Sequence, residues 1–264
     1  MADRKALGIV GGTGMLGGAI ARRLLSSGYV APDSLVVSNR SGLPAGLETW
    51  PGVSAVASNQ VLADSCDTVL LAVPPAQAGS LEMNAADTLV ISVMAGVSRA
   101  QLSDFTGSSR VVRAMSSPAA EHGLAYSPWI GSDAVTDADR ATVGALLYAC
   151  GACDAVADEG QIECFTALTG PVPGFVALFA DAMVSYAVRS GIEPDIALKA
   201  IRQLFLSGGT MLHDGGKTPG DHVREMIDYA GTTAAGLVAM RDAGLVELVH
   251  DGLDMAVRKT RSMA

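Results

Sequence analysis

The sequence predicts an α/β N-terminal domain built on a doubly wound, mostly parallel sheet, followed by an all-α C-terminal domain. Three observations lead there: a glycine-rich strand–turn–helix at the start, short apolar runs alternating with helical segments up to residue 158, and only helical periodicity after it. At 264 residues the chain has room for two ordinary domains, placed at 1–158 and 159–264. Hydrophobic residues make up 49% of it and aromatic residues only 5%, which suits small side chains packing helices closely onto a parallel sheet.

The apolar run from Ala6 to Val10 reads as a buried strand. Gly12-Thr13-Gly14-Met15-Leu16-Gly17 then matches G-x-G-x-x-G, and Ala19 to Leu25 continues at helical period. In such a turn the first glycine lets the chain reverse, the second lets the backbone approach a pyrophosphate, and the third lets helix and strand pack closely. The helix N-terminus offers unpaired N–H groups and the positive end of the helix dipole to the phosphates. Gly12, Thr13, Gly14, Met15, Leu16 and Gly17 are therefore the pyrophosphate-binding candidates of a Rossmann domain. A glycine turn without a ligand is the alternative, and its position in the first strand–turn–helix argues against that.

Ser34 to Ser38 reads as the second strand, running into Asn39-Arg40-Ser41. The tip of this strand is where the adenosine ribose is inspected, and a carboxylate there selects NAD by binding the 2′-hydroxyl. This sequence has no carboxylate at that point. Ser38, Asn39, Arg40 and Ser41 instead present a cation and polar donors suited to a 2′-phosphate, so NADP is the expected cofactor, with NADPH preferred over NADH. A surface arginine in a turn is the plainer reading of Arg40. Thr68 to Val73 is the third strand, ending in Pro74-Pro75, and Thr88 to Val93 the fourth, leading into Met94-Ala95-Gly96. Ala72, Val73, Pro74, Ala95 and Gly96 are small residues at carboxyl ends of strands, where a doubly wound sheet opens its ligand crevice and a dinucleotide would find room. Arg110 to Met115 is the fifth strand, and segments around Leu124 to Tyr126 and Ala152 to Val156 complete the sheet.

Beyond Asp158 the helical segments are Ile162 to Leu168, Pro173 to Ser190, Pro194 to Met211, Pro219 to Met226, Thr232 to Ala243 and Leu245 to Arg261. Pro173, Pro194 and Pro219 stand at first turns, where a missing N–H costs nothing. Phe175, Val176, Phe179, Met183, Tyr186 and Ala187 form an apolar face wider than one small domain needs. It predicts a homodimer or higher homo-oligomer through the helical domain; burial inside the domain would give the same pattern. Cys164 to Ala180 is broken by Gly170, Pro171, Pro173 and Gly174, so it reads as a buried helix and not as a membrane span.

A formal charge of −9 argues against a nucleic-acid partner, which needs clustered cations to neutralise phosphates. The one basic stretch, Arg258 to Arg261, reads as a solvated or frayed terminus. Met1 to Lys5 is charged but the next apolar run is too short for a secretory segment, and a cytoplasmic protein without membrane partners is expected. Cys150-Gly151-Ala152-Cys153 has redox or half-zinc spacing. With no second pair and no helix opening at the motif, two packing thiols are the better reading, and no metal site is expected. His122, His213, His222 and His250 are scattered, and neither they nor any carboxylate pair forms a persuasive catalytic group.

An NADP-type Rossmann domain followed by helices resembles the pyrroline-5-carboxylate reductase family. Thr166-Ala167-Leu168-Thr169-Gly170-Pro171-Val172-Pro173-Gly174-Phe175 resembles the family's T-A-L-S-G-S-G-P-A-Y, and Asp228-Tyr229-Ala230-Gly231-Thr232-Thr233-Ala234-Ala235-Gly236-Leu237 resembles its S-P-G-G-T-T-x-x-G-L. The resemblance implies reduction of a cyclic imine, 1-pyrroline-5-carboxylate, to L-proline with hydride from NADPH, in a homodimer with interlocked helical domains. It further implies that Thr233 hydrogen-bonds near the ring nitrogen and that backbone N–H groups of Gly231 and Thr232 receive the carboxylate. An iminium carbon is already electrophilic, so a hydroxyl and a dry pocket suffice without a strong acid.

The substrate half departs from the family pattern: Pro171 and Val172 replace a serine and a glycine, Ser116-Ser117-Pro118 replaces P-N-T-P, and Asp228 brings a carboxylate beside the implied carboxylate site. A reductase of a different cyclic imine and a non-catalytic NADP-binding regulator are the alternatives. Gly11-Gly12-Thr13-Gly14 also resembles the glycine turn of F420-dependent NADP reductases, whose single-domain form does not account for the long helical half.

Overall fold

The computed structural model describes residues 5–81 and 83–262. Most of the stretch Met1 to Lys5, read above for a secretory segment, lies outside them. Eight strands form one sheet: β1 Lys5–Val10, β2 Leu35–Ser38, β3 Ser54–Val56, β4 Cys66–Leu71, β5 Leu89–Ser92, β6 Val111–Ala114, β7 Ala125–Gly131 and β8 Gly151–Ala155. Their order is β3-β2-β1-β4-β5-β6-β7-β8. The first six are parallel, β6 and β7 are antiparallel with Arg113 opposite Ile130, and β7 and β8 are again parallel. The strand order changes direction between β1 and β4, running outward on either side, and the carboxyl ends of these two strands open the crevice of the sheet.

Helices α1 Met15–Ser26, α2 Asn59–Ser65, α3 Arg99–Thr106 and α4 Asp137–Ala149 connect the strands. Caps fix several of them: Ser58 opens α2, and Ser98 with Gln101 and Thr136 with Asp139 form capping boxes on α3 and α4. Two apolar layers flank the sheet. One holds Ile9, Ile20, Leu24, Leu35, Ile91 and Leu146, the other Leu62, Val69, Leu71, Val90 and Leu102. Near-continuous apolar strands such as Leu35-Val36-Val37 are what a parallel sheet covered on both faces requires.

The remaining helices are α5 Glu159–Leu168, α6 Gly174–Arg189, α7 Pro194–His213, α8 Pro219–Asp228, α9 Thr232–Asp242 and α10 Leu245–Arg261. Two compact units divide the chain, 1–172 with 255–264 and 173–254. In the first, α5 packs on β6 and β7, with Tyr126 against Phe165. In the second, α6 pairs with α7 and α8 with α9.

Four readings are corrected here. A strand, β3, lies at the sheet edge where none was expected; it is three residues long and half exposed, too short to show a period. Cys164 to Ala180 is not one buried helix: the chain breaks between α5 and α6 around Gly170, and no residue of α6 is buried. Pro173 precedes the first turn of α6 and serves as its N-cap, whereas Pro194 and Pro219 do stand in first turns. Arg258 to Arg261 is not frayed, because it completes α10, with Thr260 buried and Arg261 paired with Glu163 at 2.7 Å.

Candidate functional site

A cleft of about 400 Å³ opens at the carboxyl ends of β1, β2 and β4. Thr13, Gly14, Ser38, Asn39, Arg40, Ala72, Val73 and Pro74 all line it. Gly12, Met15, Leu16, Gly17, Ser41 and Ala95 do not. Gly12 is buried, and a Cβ there would stand 2.6 Å from Val37 Cγ1. Leu16 packs against the core, Met15 is exposed, and Ala95 follows β5 one strand further along the sheet.

The turning glycine is Gly11, not Gly12. Gly11 has φ +78°, and a Cβ there would lie 2.9 Å from the Ala72 carbonyl oxygen. Gly17 holds the packing position: its Cβ would sit 2.3 Å from the Gly11 oxygen, so the helix can approach the turn only as glycine. Gly14 is the N-cap of α1, exposed to the cleft, and the first turn of α1 carries no acidic side chain. The N-terminal end of α1, the positive end of its dipole, thus opens on the cleft, and among the described residues no acidic side chain lines it. A dinucleotide pyrophosphate fits this cradle by backbone alone.

At the tip of β2 the polar trio separates into two functions. The Asn39 side chain accepts from the Ser41 N–H at 3.0 Å and from the Ser41 hydroxyl at 2.8 Å, and donates to the Leu43 carbonyl at 2.7 Å. Asn39 and Ser41 therefore build the turn, an Asx-type closure that the short polar side chains favour. Arg40 between them is exposed, and among the described residues its guanidinium has no ion-pair partner. Ser38 donates to Asn59 Oδ1 at 2.8 Å, tying β2 to the first residue of α2.

Asn59, Gln77 and Gly11 line the cleft and were missed in the sequence. The Gly11-Gly12 doublet and the Ser58 cap before Asn59 are the signals that could have found two of them; nothing in sequence marks Gln77.

Gly231, Thr232 and Thr233 belong to the second unit, at the N-terminus of α9. Both threonines are exposed, and among the described residues neither hydroxyl has a protein partner. Ala230 just before them has φ +56°, a left-handed conformation that alanine rarely adopts. On the first unit, Gly170 lies against Met115 at the end of β6, a Cβ there falling 2.3 Å from Met115 Cε. The residues that follow, Pro171 and Val172, carry the altered part of the T-A-L-T-G motif.

All four cysteines are thiols and none is in a disulfide. Burial pushes the Cys150 thiol up to about 12, with a small opposing effect of Arg23, and burial also raises Cys153. Both are poor thiolates, which suits packing and not redox chemistry. Among the described residues no cluster of histidine, cysteine and carboxylate could hold a metal ion, and no helix is long and apolar enough to cross a membrane.

A family described as pyrroline-5-carboxylate reductase dimerisation matches residues 159–263, and one described as NADP oxidoreductase, coenzyme F420-dependent, matches residues 6–96. Pyrroline-5-carboxylate reductase 2 of Bacillus subtilis is 28% identical over 97% of this chain and 94% of its own. The crystal structure of 1-pyrroline-5-carboxylate reductase from Streptococcus pyogenes superposes with a TM-score of 0.80 at 26% identity, covering 99% of this chain and 100% of that one. The NADP-bound pyrroline carboxylate reductase of Plasmodium falciparum shares the fold, with a TM-score of 0.84 at 22% identity over 99% of this chain and 98% of that one.

Proposed function

The chain belongs to the pyrroline-5-carboxylate reductase family, and on that premise we propose that it reduces 1-pyrroline-5-carboxylate to L-proline, with NADPH preferred over NADH. The observation that carries the reading is similarity to reductases of this name over nearly the whole chain, in both halves and in the same order. It is an oxidoreductase of the class acting on CH–NH donors. Bound NADPH supplies the hydride that a C=N carbon accepts.

The chain's own residues then have distinct tasks. Gly11 to Gly14 and the N-terminus of α1 bind the pyrophosphate, and Arg40 binds the 2′-phosphate in the turn held by Asn39 and Ser41. Ala72, Val73, Pro74 and Ala95 leave room beside the cofactor. The Thr233 hydroxyl hydrogen-bonds near the ring nitrogen, and the N–H groups of Gly231 and Thr232 face the carboxylate. No strong acid is required, because a protonated imine already carries the positive carbon that hydride needs.

A homodimer through the helical unit is part of the same reading. Among the described residues of 173–254 only Ala197 and Ala234 are buried, while Phe175, Val176, Phe179, Met183 and Tyr186 are exposed. A unit with so little interior needs a second copy to cover its apolar faces. Four cysteines kept as thiols are consistent with a reducing, cytoplasmic setting.

Pro171 and Val172 favour a second reading, a different cyclic imine. Proline removes an N–H and valine adds bulk where the family motif has serine and glycine, immediately after Gly170 is fixed against Met115. NADPH oxidation followed with 1-pyrroline-5-carboxylate, 1-pyrroline-2-carboxylate and 1-piperideine carboxylates separates the two. Turnover of the first supports proline formation; turnover only of another supports the second reading; NADPH binding without any turnover leaves a non-catalytic regulator.

A further inference from the structure

We propose that the side-chain amide of Gln77 reads the adenine base of the bound dinucleotide, an assignment that rests on the cofactor reading above. A dinucleotide with its pyrophosphate on the N-terminus of α1 and its ribose at the tip of β2 has its base in the rest of the cleft. Ala57, Val73, Pro74 and Leu81 are among its lining residues and supply apolar surface on which a flat aromatic ring can lie. Three side-chain amides line the cleft, and two have their oxygens engaged at the tip of β2: Asn39, whose nitrogen is also used, by Ser41 and Leu43, and Asn59 by Ser38. Gln77 is the exception. Among the described residues no protein group pairs with its amide.

Its backbone is nevertheless fixed. Gln77 sits in a 3₁₀ turn, Pro75–Ser80, where its N–H donates to the Pro74 carbonyl at 2.9 Å and its carbonyl accepts from the Ser80 hydroxyl at 2.8 Å. The turn thus presents at the cleft an exposed amide that pairs with no protein group among the described residues. A glutamine amide offers an acceptor and a donor side by side, which complements the 6-amino group and N7 of adenine as a bidentate pair. Hypoxanthine presents two acceptors on the same edge, so the pair is reduced to one bond. Gln77 therefore gives the site base selectivity on top of the 2′-phosphate selectivity of Arg40.

The test measures dissociation constants of NADPH and its hypoxanthine analogue, deamino-NADPH, for the full-length protein and for Gln77→Leu, by quenching of intrinsic fluorescence. The leucine variant keeps size and the backbone bonds of the turn. We expect the parent protein to favour NADPH by roughly five- to tenfold, consistent with a partly exposed bidentate pair, and the variant to bind both nucleotides alike at the weaker level. Equal loss for the two nucleotides, or no loss, overturns the assignment. Arg40→Ala is the control: it weakens both nucleotides while preserving their ratio. If the parent protein binds neither, the cofactor reading itself falls; if it binds NADPH and Gln77→Leu is silent, only this inference falls.

Discussion

The Glu159 carboxylate accepts from Arg113 Nη1 at 3.0 Å, and Arg113 is a buried arginine whose Nε and Nη2 have no partner among the described residues. Glu159 also accepts from the Arg99 backbone N–H at 2.8 Å and Arg99 Nε at 3.2 Å, so the first residue of α5 ties together α3, β6 and α5. Burial raises the carboxyl's pKa, but the hydrogen bonds from Arg99 and Arg113 and the charge of Arg113 outweigh it, and the net pKa lies below the usual 4.5. A depressed carboxylate stabilises the fold above its unfolded value, and that contribution is lost as pH falls through the folded value. Urea unfolding should therefore show stability declining below about pH 4.5. Glu159→Gln should cost about 2–3 kcal/mol at pH 7 by leaving Arg113 unneutralised, and should flatten that decline. A variant as stable as the parent at pH 7 would remove Glu159 as the anchor of α5.

Two glycines of the first turn separate fold from ligand. Gly17→Ala drives a Cβ to 2.3 Å from the Gly11 oxygen, so unfolding stability should drop by about 1–3 kcal/mol. At Gly14 the tightest contact of a Cβ would be 3.1 Å, also to the Gly11 oxygen, and the residue is exposed to the cleft. Gly14→Ala should leave stability within about 1 kcal/mol while weakening NADPH roughly tenfold, because the methyl stands where the backbone meets phosphate. Chemical denaturation beside nucleotide titration resolves the two, and matching profiles for both variants would contradict the division.

Arg40 is the sole member of the Asn39-Arg40-Ser41 trio whose polar side chain is not engaged in closing the turn. Charge-assisted bonds to a phosphate are worth about 1.5–3 kcal/mol, so Arg40→Ala should weaken NADPH roughly ten- to hundredfold. NADH, which lacks the 2′-phosphate, should change by no more than about twofold. Titration with both nucleotides decides it, and parallel losses would assign Arg40 to the turn instead of the phosphate.

How far the site could be read in advance depended on which constraint was local. The G-x-G-x-x-G spacing located the cradle, since only glycine tolerates the approach of Gly17 to the Gly11 oxygen, but which glycine turns the chain depended on contacts with Ala72. The parallel order from β1 to β6 followed from apolar runs buried on both faces. The sequence shows only the first part of β7 because Pro128 lacks a donor, and pairing with both β6 and β8 completes the strand, with the Pro128 carbonyl accepting from Met115 N–H. Gln77 left no trace because its role depends on a turn facing β2 across the crevice. The apolar face of α6 was legible, whereas its exposure in a single copy depends on tertiary packing.

Thr233 stands in the first turn of α9 with its hydroxyl free to meet a ligand. Under the proposed chemistry Thr233→Val should lower kcat with 1-pyrroline-5-carboxylate roughly tenfold, the worth of one hydrogen bond made in the transition state. The NADPH dissociation constant should stay within about twofold, because the residue acts on the imine and not on the nucleotide. Steady-state kinetics with a nucleotide titration tests this, and an unchanged kcat would take Thr233 out of the reaction.

Ala230 ends α8 in the left-handed region at φ +56°, its N–H donating to the Ile227 carbonyl at 2.9 Å. This is the position after a helix where glycine closes the last turn without a Cβ penalty, and the family motif has glycine here. Alanine in that conformation costs about 1–2 kcal/mol, partly offset because alanine loses less backbone entropy on folding than glycine. Ala230→Gly should thus raise stability by about 0.5–1 kcal/mol in urea unfolding. The same substitution loosens the approach to Gly231 and Thr232. If strain at Ala230 sets the aim of those N–H groups, the more stable variant should bind the substrate less well, with a raised KM at unchanged NADPH affinity. A stabilised variant with an unaltered KM would mean that the strain is an incidental cost of the alanine. A destabilised one would mean that contacts of the Ala230 methyl outweigh the backbone penalty.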